Sequence, residues 1–355
     1  MAVETFTADS LDKWRRRFEY FDGAGPYHDP DYLELLAGGF EQEQESAEAF
    51  VYTEGDASVY YPYIRRSLSG LRFEVDGIDI DSYSDIVSSW YYGGPLASPD
   101  ADEEVVTNFA EQFREYCQAE NIVSEFVRFD PNAANYDTFD AAYDPSFNRE
   151  TVRVDLTPSL DEIWDNFEKR NRNAIRQAQE TDIVVEPTTD SDDYAGFYEI
   201  YTNAMEARDA AQHYRFPLSF FEALLGADDL ATLLVARYED NVIGGALVVH
   251  DDNIAHDYLR ASDPEYWDLR VNNLICYEAL IHMRETGREL FDFQGGRPGV
   301  FKFKRGFSQT GRGKFYIAKR VHLRDVYDSL VTTASEAGID TESGYFPAYR
   351  VEQSN

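Results

Sequence analysis

The chain has 355 residues, 43% of them hydrophobic and 15% aromatic, enough for two domains that each bury a core. A formal net charge of −35 repels DNA and anionic membrane from most of the surface, which excludes a general role on either. No run of about 18 apolar residues exists, and residues 1–10 lack a basic-then-apolar leader, so the expectation is a cytoplasmic protein without a transmembrane segment.

In chain order, Ser10 is placed to cap a helix through Leu11, Trp14, Phe18 and Phe21, and a second helix is expected over 30–37. After the acidic loop 41–48, segments 49–52 and 57–64 flank Gly55-Asp56 and read as a hairpin. Trp90-Tyr91-Tyr92-Gly93-Gly94-Pro95-Leu96 is a strand end entering a glycine turn, either a plain tight turn or one edge of a ligand cleft framed by tyrosines. A helix over 103–120 and a strand over 122–129, closed by Asp130-Pro131-Asn132, form an α/β unit.

Segment 151–156 alternates as a strand, and Ser159 starts a helix that runs to Ala178. On it Arg172 and Arg176 share a face with Lys169 one turn earlier, which either reaches a phosphate or carboxylate or offsets nearby acids. A strand over 183–186 and helices over 192–210 and 217–225 follow, the helices joined by a polar connection containing Arg208, His213 and Tyr214. Three strands over 231–261, with turns at 239–241 and 251–253, make an antiparallel meander. A helix over 272–287 with Gly287 as its C-cap leads to a strand over 290–293, a glycine loop, and strands over 301–307 and 313–321. In the first of these, alternation sets Phe301, Phe303 and Arg305 on one face and Lys302 and Lys304 on the other. A helix over 323–337 and an irregular surface tail complete the chain.

Only six lysines occur against twenty-six arginines, and four of the six lie between 302 and 319. Lysine depletion with acid enrichment implies salt adaptation, and against that background the clustered lysines mark a basic strip. Cys117 and Cys276 fall on separate helical patterns without metal spacing, which points to buried thiols in a reducing compartment. The histidines form no HExxH or HxxxH pattern, so no metal site is expected.

The element order of the second half resembles the GNAT acyltransferase fold, and the first half repeats a shorter version of it. The expectation is an α/β (α+β) protein of two tandem GNAT-like domains, 1–150 and 151–337, each a mixed, mainly antiparallel sheet flanked by helices, with an irregular tail over 338–355. The Arg-Asn-x-Ile-Arg-x-Ala run ending at Ala178, Arg208, the meander closing at Tyr258, Asp292-Phe293 and Phe303-Lys304-Arg305-Gly306-Phe307 are together similar to the Fem family of aminoacyl transferases. Tyr92-Gly93-Gly94-Pro95-Leu96 also looks like Fem-related proteins found with surface-polysaccharide genes.

The resemblance implies transfer of an acyl or aminoacyl group to an amine of a nucleotide- or lipid-linked sugar or peptide, in cell-surface polysaccharide or glycan biosynthesis. Lys304 matches the lysine that neutralises developing charge, and Arg208 and Tyr258 match positions that hold a phosphorylated acceptor. Tyr214, Tyr92, Arg305, Arg172 and Arg176 are further substrate-side candidates. Asp292 is either a proton acceptor or a carboxylate capping the glycine loop. The donor is a co-substrate, acyl-CoA or aminoacyl-tRNA, with no bound cofactor; tRNA would meet the protein along the basic 302–320 strip. A CoA-using member has a glycine-rich turn before the helix after the meander, whereas this chain has Leu269-Arg270-Val271-Asn272-Asn273-Leu274, leaving Asn272 and Asn273 to meet a donor anion. A scaffold that has lost catalysis and binds an anionic glycan or a partner protein is the alternative.

Overall fold

The computed structural model describes residues 1–21, 23–39, 45–208, 215–227 and 229–351. They form two compact units, Met1–Asn148 with Phe315–Asn355, and Arg149–Lys314. The first unit starts with β1 (Ala2–Thr7), α1 (Leu11–Phe18), α2 (Pro30–Gly38), β2 (Glu45–Glu54) and β3 (Ala57–Ser67). It continues through β4 (Ser84–Val87), β5 (Leu96–Ala97), α3 (Glu103–Ala119), β6 (Ile122–Arg128), α4 (Asn135–Thr138) and α5 (Asp140–Tyr143). Gly55, at φ +61°, makes the turn that pairs Glu54 with Ala57, as its sequence position predicts. The sheet runs β1-β2-β3-β4-β6, antiparallel except for the parallel β4/β6 pair. Helix α3 lays Val106, Phe109, Phe113 and Cys117 onto it among Phe50, Tyr61 and Tyr63.

The second unit holds β7 (Ser146–Asp155), α6 (Leu160–Asp165), α7 (Lys169–Gln179), β8 (Val184–Thr188), α8 (Ser191–Glu206) and α9 (Leu218–Gly226). Then come β9 (Ala231–Tyr238), β10 (Asn241–His250), β11 (Ile254–Ser262), α10 (Val271–Glu285), β12 (Leu290–Gln294) and α11 (Pro298–Lys304). Its sheet order is β7-β12-β11-β10-β9-β8, with β11/β12 the parallel pair. The expected meander is present, Tyr238 pairing with Asn241 across a turn whose Glu239 and Asp240 both have positive φ. One sheet face packs Leu234, Ala246, Val248, Phe291 and Phe293 against Ile275, Ala279 and Met283 of α10 and Ile175 of α7. The other carries α8 so closely that a Cβ on Gly245 would lie 2.8 Å from the Phe197 ring. Helix α10 ends as predicted at Gly287, φ +97°, where Arg288 N–H donates to the Met283 carbonyl at 3.0 Å and Gly287 N–H to that of Arg284 at 3.1 Å.

Four expectations change. Segment 301–307 is not a strand: Pro298 fixes the first turn, Phe301 N–H donates to the Arg297 carbonyl at 2.9 Å, and α11 passes into a 3-10 turn at Arg305–Phe307. A seven-residue helix spans fewer than two full periods, so its aromatic spacing imitates strand alternation. The helix expected from Ser159 to Ala178 breaks into α6 and α7. Arg172 and Gln309 take the carbonyls exposed by the break at Asp165 and neighbouring residues, and Glu168 N–H donates to the Gly306 carbonyl at 2.8 Å.

Domain limits also move. β13 (Arg312–Val321), from residue 315 onward, and α12 (Arg324–Glu336) belong to the first unit, not the second, and so does the tail. β13 pairs antiparallel with β6, and His322 meets the buried Glu125 carboxylate at 3.1 Å. Nor is the tail merely surface: Tyr349 is 1% exposed, and Arg350 donates to the buried Asp85 carboxylate at 2.6 Å. Burial would raise the Asp85 carboxyl, yet Arg350 and Arg66 hold it below the usual carboxylate range. Removing one partner of such a buried pair costs roughly 3–5 kcal/mol. β1 had no expectation at all; it is an exposed edge whose only buried residue is Phe6.

Candidate active site

Lys304 is the buried centre of the second unit's polar cluster. Its side chain leaves the end of α11, and Nζ donates to the Phe293 carbonyl and lies 3.4 Å from Asp257 Oδ2. Arg260 Nη2 donates to the same Oδ2 at 3.2 Å, Nη1 donates to Cys276 Sγ on α10, and the guanidinium sits 5.0 Å from the centre of the Phe303 ring. Burial lowers the Lys304 ammonium below the ordinary lysine value, with Asp257 opposing it. Burial pushes the Cys276 thiol up to about 12, so it is a packed thiol rather than a nucleophile.

Asp257 and Arg260 stand three apart on one strand, and a period of two would send them to opposite faces. They meet because β11 slips register: Leu247 faces Leu259, Val248 faces Asp257, and Tyr258 is the extra residue of a β-bulge. Sequence reasoning missed both residues. Their signal was present, since His256-Asp257-Tyr258-Leu259-Arg260 sets acid and base inside the third strand of a buried meander.

Asp292 is buried at the end of β12, where Oδ1 accepts the Gln294 N–H at 2.6 Å and Oδ2 lies 3.9 Å from His256 Nδ1. It therefore does what the capping alternative describes, turning the chain at Gln294, whose φ is +61°. Tyr258 is buried beside Phe216, ring centres 6.1 Å apart. Arg208 is exposed just beyond α8, and Tyr214 lies outside the described residues. Gly306 completes the Phe-Lys-Arg-Gly-Phe segment for a steric reason: a Cβ there would lie 2.5 Å from Nδ2 of the buried Asn171.

The expected basic stripe on α7 points elsewhere. Arg172 donates to the Asp165 carbonyl at 2.9 Å, and Arg176 stacks 5.2 Å from the Trp164 ring, so both secure α6. Tyr92 is a packing residue of the first unit, edge-on to Tyr27 at 5.7 Å and 5.5 Å from Phe315. The 302–320 strip disperses. Lys302 is exposed, Lys304 is buried, Arg305 is an exposed partner of Glu168 at 3.9 Å, and Lys319 and Arg320 belong to the first unit.

Beside α11 a cavity of about 560 Å³ opens at the start of α10, lined by Arg170, Asn173, Arg270, Asn273, Lys302 and Phe303 among others, with no acid in its wall. Of the cations in its wall, Arg170 is paired with Glu168 Oε2 at 2.8 Å. Arg270 takes the left-handed conformation at φ +62° where a glycine would serve a CoA-type turn. Asn273 reaches the cavity, whereas Asn272 Nδ2 is committed to Ser262 Oγ at 2.6 Å. One short helix thus presents Lys302 and Phe303 to the cavity and Lys304 to the buried cluster.

Residues 165–305 match the family model described as an acetyltransferase (GNAT) domain. No curated protein sequence matches the chain. Among solved structures, FemX matches 92% of this chain and 99% of its own at TM-score 0.66 and 14% identity. The C-terminal domain of a candidate lysylphosphatidylglycerol synthetase from Agrobacterium fabrum matches 91% of this chain and 96% of its own at TM-score 0.54 and 13% identity. L-PGS from Bacillus licheniformis matches 93% and 97% at TM-score 0.51 and 12% identity. At these identities the likeness establishes the fold, tandem GNAT-like domains with mixed, mainly antiparallel sheets, and the match to the acetyltransferase (GNAT) model falls within the second unit. Among the described residues no helix is long and apolar enough to cross a membrane.

Proposed function

We propose that the chain is an N-acyltransferase that moves an acyl or aminoacyl group onto an amine of a phosphorylated, nucleotide- or lipid-linked sugar or peptide in the cytoplasm. The observation that carries this reading is a buried ammonium, Lys304, on the same short helix whose Lys302 and Phe303 line a cavity at a helix start. The donor phosphate lies in the cavity against Arg170, Arg270 and Lys302, where the open end of α10 adds its own positive potential. The acceptor nitrogen bonds to the acyl carbon, and the oxyanion that forms is offset by Lys304. Collapse then breaks the ester or thioester bond, and the proton lost by the amine leaves on the released hydroxyl or thiol. Asp292 accepts the Gln294 N–H and shapes the loop at the end of β12.

The glycine-free turn at Arg270 favours an aminoacyl-tRNA ester over acyl-CoA, since side chains rather than a backbone cradle face the phosphate. It also supports a second reading, a non-catalytic scaffold that holds an anionic glycan. Both are tested by incubating the full chain with acetyl-CoA or with charged tRNA and amino-sugar nucleotides, and reading acyl transfer by mass spectrometry. Transfer that Lys304→Ala lowers by about 10²–10³ supports the enzyme. Glycan binding without transfer from either donor supports the scaffold.

A further inference from the structure

We propose that Asp257 and Arg260 are positioning residues for Lys304: the carboxylate holds the ammonium, and the guanidinium holds the carboxylate. This deepens the reading above and rests on Lys304 being the charge-stabilising group. An ammonium has three N–H donors. One is used by the Phe293 carbonyl and a second faces Asp257 Oδ2 at 3.4 Å, which leaves one for a ligand. Arg260 in turn is fixed at three points, Asp257 Oδ2 at 3.2 Å, Cys276 Sγ and the Phe303 ring. Asp257 therefore cannot rotate away from Lys304 without losing a second ion pair. Since Phe303 also lines the cavity, Arg260 connects the cavity wall to the carboxylate that aims Lys304.

Lys304 and Arg260 share the Asp257 carboxylate, and Asp292 supplies a second negative charge facing Lys304, so removing either β11 partner unbalances the cluster in a direction that separates positioning from packing. The charged and titratable groups facing Lys304 are Asp257 and Arg260 from β11, Asp292 from β12 and Cys276 from α10. Asp257 and Asp292 favour the ammonium and Arg260 disfavours it. Loss of Asp257 must drive Lys304 toward the neutral amine, and loss of Arg260 must do the reverse.

The test uses the full chain labelled with ¹³Cε-lysine, whose six signals are few enough to resolve, with Lys304→Arg identifying the one of interest. Lys304 is expected to titrate below the other lysines, to shift to lower pH in Asp257→Asn and to higher pH in Arg260→Met. If circular dichroism shows Asp257→Asn unfolded, Arg260→Met and Asp257→Glu carry the measurement, the latter restoring the wild-type midpoint. In a transfer assay Asp257→Asn should lower kcat about tenfold with KM unchanged and lose activity at lower pH on the alkaline side. An unmoved Lys304 midpoint in folded variants overturns the proposal. Shifted midpoints together with full transfer by Lys304→Ala would instead keep the pairing and reject the assignment of Lys304 as the charge-stabilising group.

Discussion

Helices α3 and α10 occupy equivalent places in the two units, each leading into a strand that pairs parallel with an earlier one, β4/β6 in the first and β11/β12 in the second. Their N-termini differ. α3 is closed by its own acids: Asp102 accepts the Val105 N–H at 3.0 Å, and Glu103 and Glu104 fill the first turn. α10 has no acid in its first turn and opens on Arg270 and the cavity. The strand ends differ in the same sense. In the first unit Ser88 and Gly93 fill the end of the parallel pair, Ser88 Oγ accepting the Arg128 N–H at 2.8 Å and Gly93 bridging to Phe129. In the second, the corresponding end holds Asp257, Arg260 and Lys304. One fold offers two helix ends with a positive potential, and first-turn chemistry decides which is left for an anion.

The largest effect should come from the second unit alone. Lys304→Ala should reduce transfer by about 10²–10³, while Ser88→Ala in the first unit leaves transfer by the folded protein unchanged. Equal loss in both would break the contrast.

Acid stability should sharpen it next, because each unit buries one histidine pushed down to about 4, His28 in the first and His250 in the second, in both cases chiefly by burial. Between pH about 6.5 and about 4 the unfolded chain binds protons that the folded one refuses, so stability falls as pH drops and levels off below about 4. Each full shift is worth on the order of 3 kcal/mol. Asp29, its carboxyl raised to about 6 by burial, acts with opposite sign in the first unit, because the folded chain holds a proton the unfolded one releases. The first unit should therefore lose less on acidification than His28 alone implies. Denaturant midpoints of His28→Gln and His250→Gln across this range check it, a flatter pH dependence in each variant being the expected result.

A smaller effect concerns the donor. Arg270→Ala should weaken pyrophosphate binding by about tenfold in calorimetry, as loss of a charge-assisted hydrogen bond worth about 1.5 kcal/mol predicts. Glu103→Ala should leave binding unchanged; new binding from that variant would show that α3 differs from α10 only in its acids. Salt should have the smallest effect and act on both units, since acids are spread along the chain at net −35. Added KCl should raise the unfolding temperature, and a maximum at low salt would reject salt adaptation.

Much of the fold was legible because its signals are local. Gly55-Asp56, the Glu239–Asn241 turn, Ser159 as a helix start and Gly287 act on residues within a turn of themselves, and each does in the fold what its spacing implies. Lys304 was legible only through the family segment around it, for the aromatic alternation that suggested a strand belongs to a helix started by Pro298. Arg172 and Arg176 read either as ligand groups or as offsets to nearby acids, because the break between α6 and α7, which gives them carbonyls and a ring to hold, depends on Gly306 and Gln309 far along the chain.

The sequence by itself determined the alternation of elements, the acidity and the exceptional lysines, all of which follow from residue type and short spacing. Tertiary structure alone decided that Lys304 is buried while Lys302 is exposed, that Asp257 and Arg260 reach it, and that the C-terminal tail closes on Asp85. The reason is common to all three. A buried charge persists only where partners from distant segments compensate its desolvation, and the bulge at Tyr258 that supplies two of those partners arises in strand pairing, which residue spacing does not record.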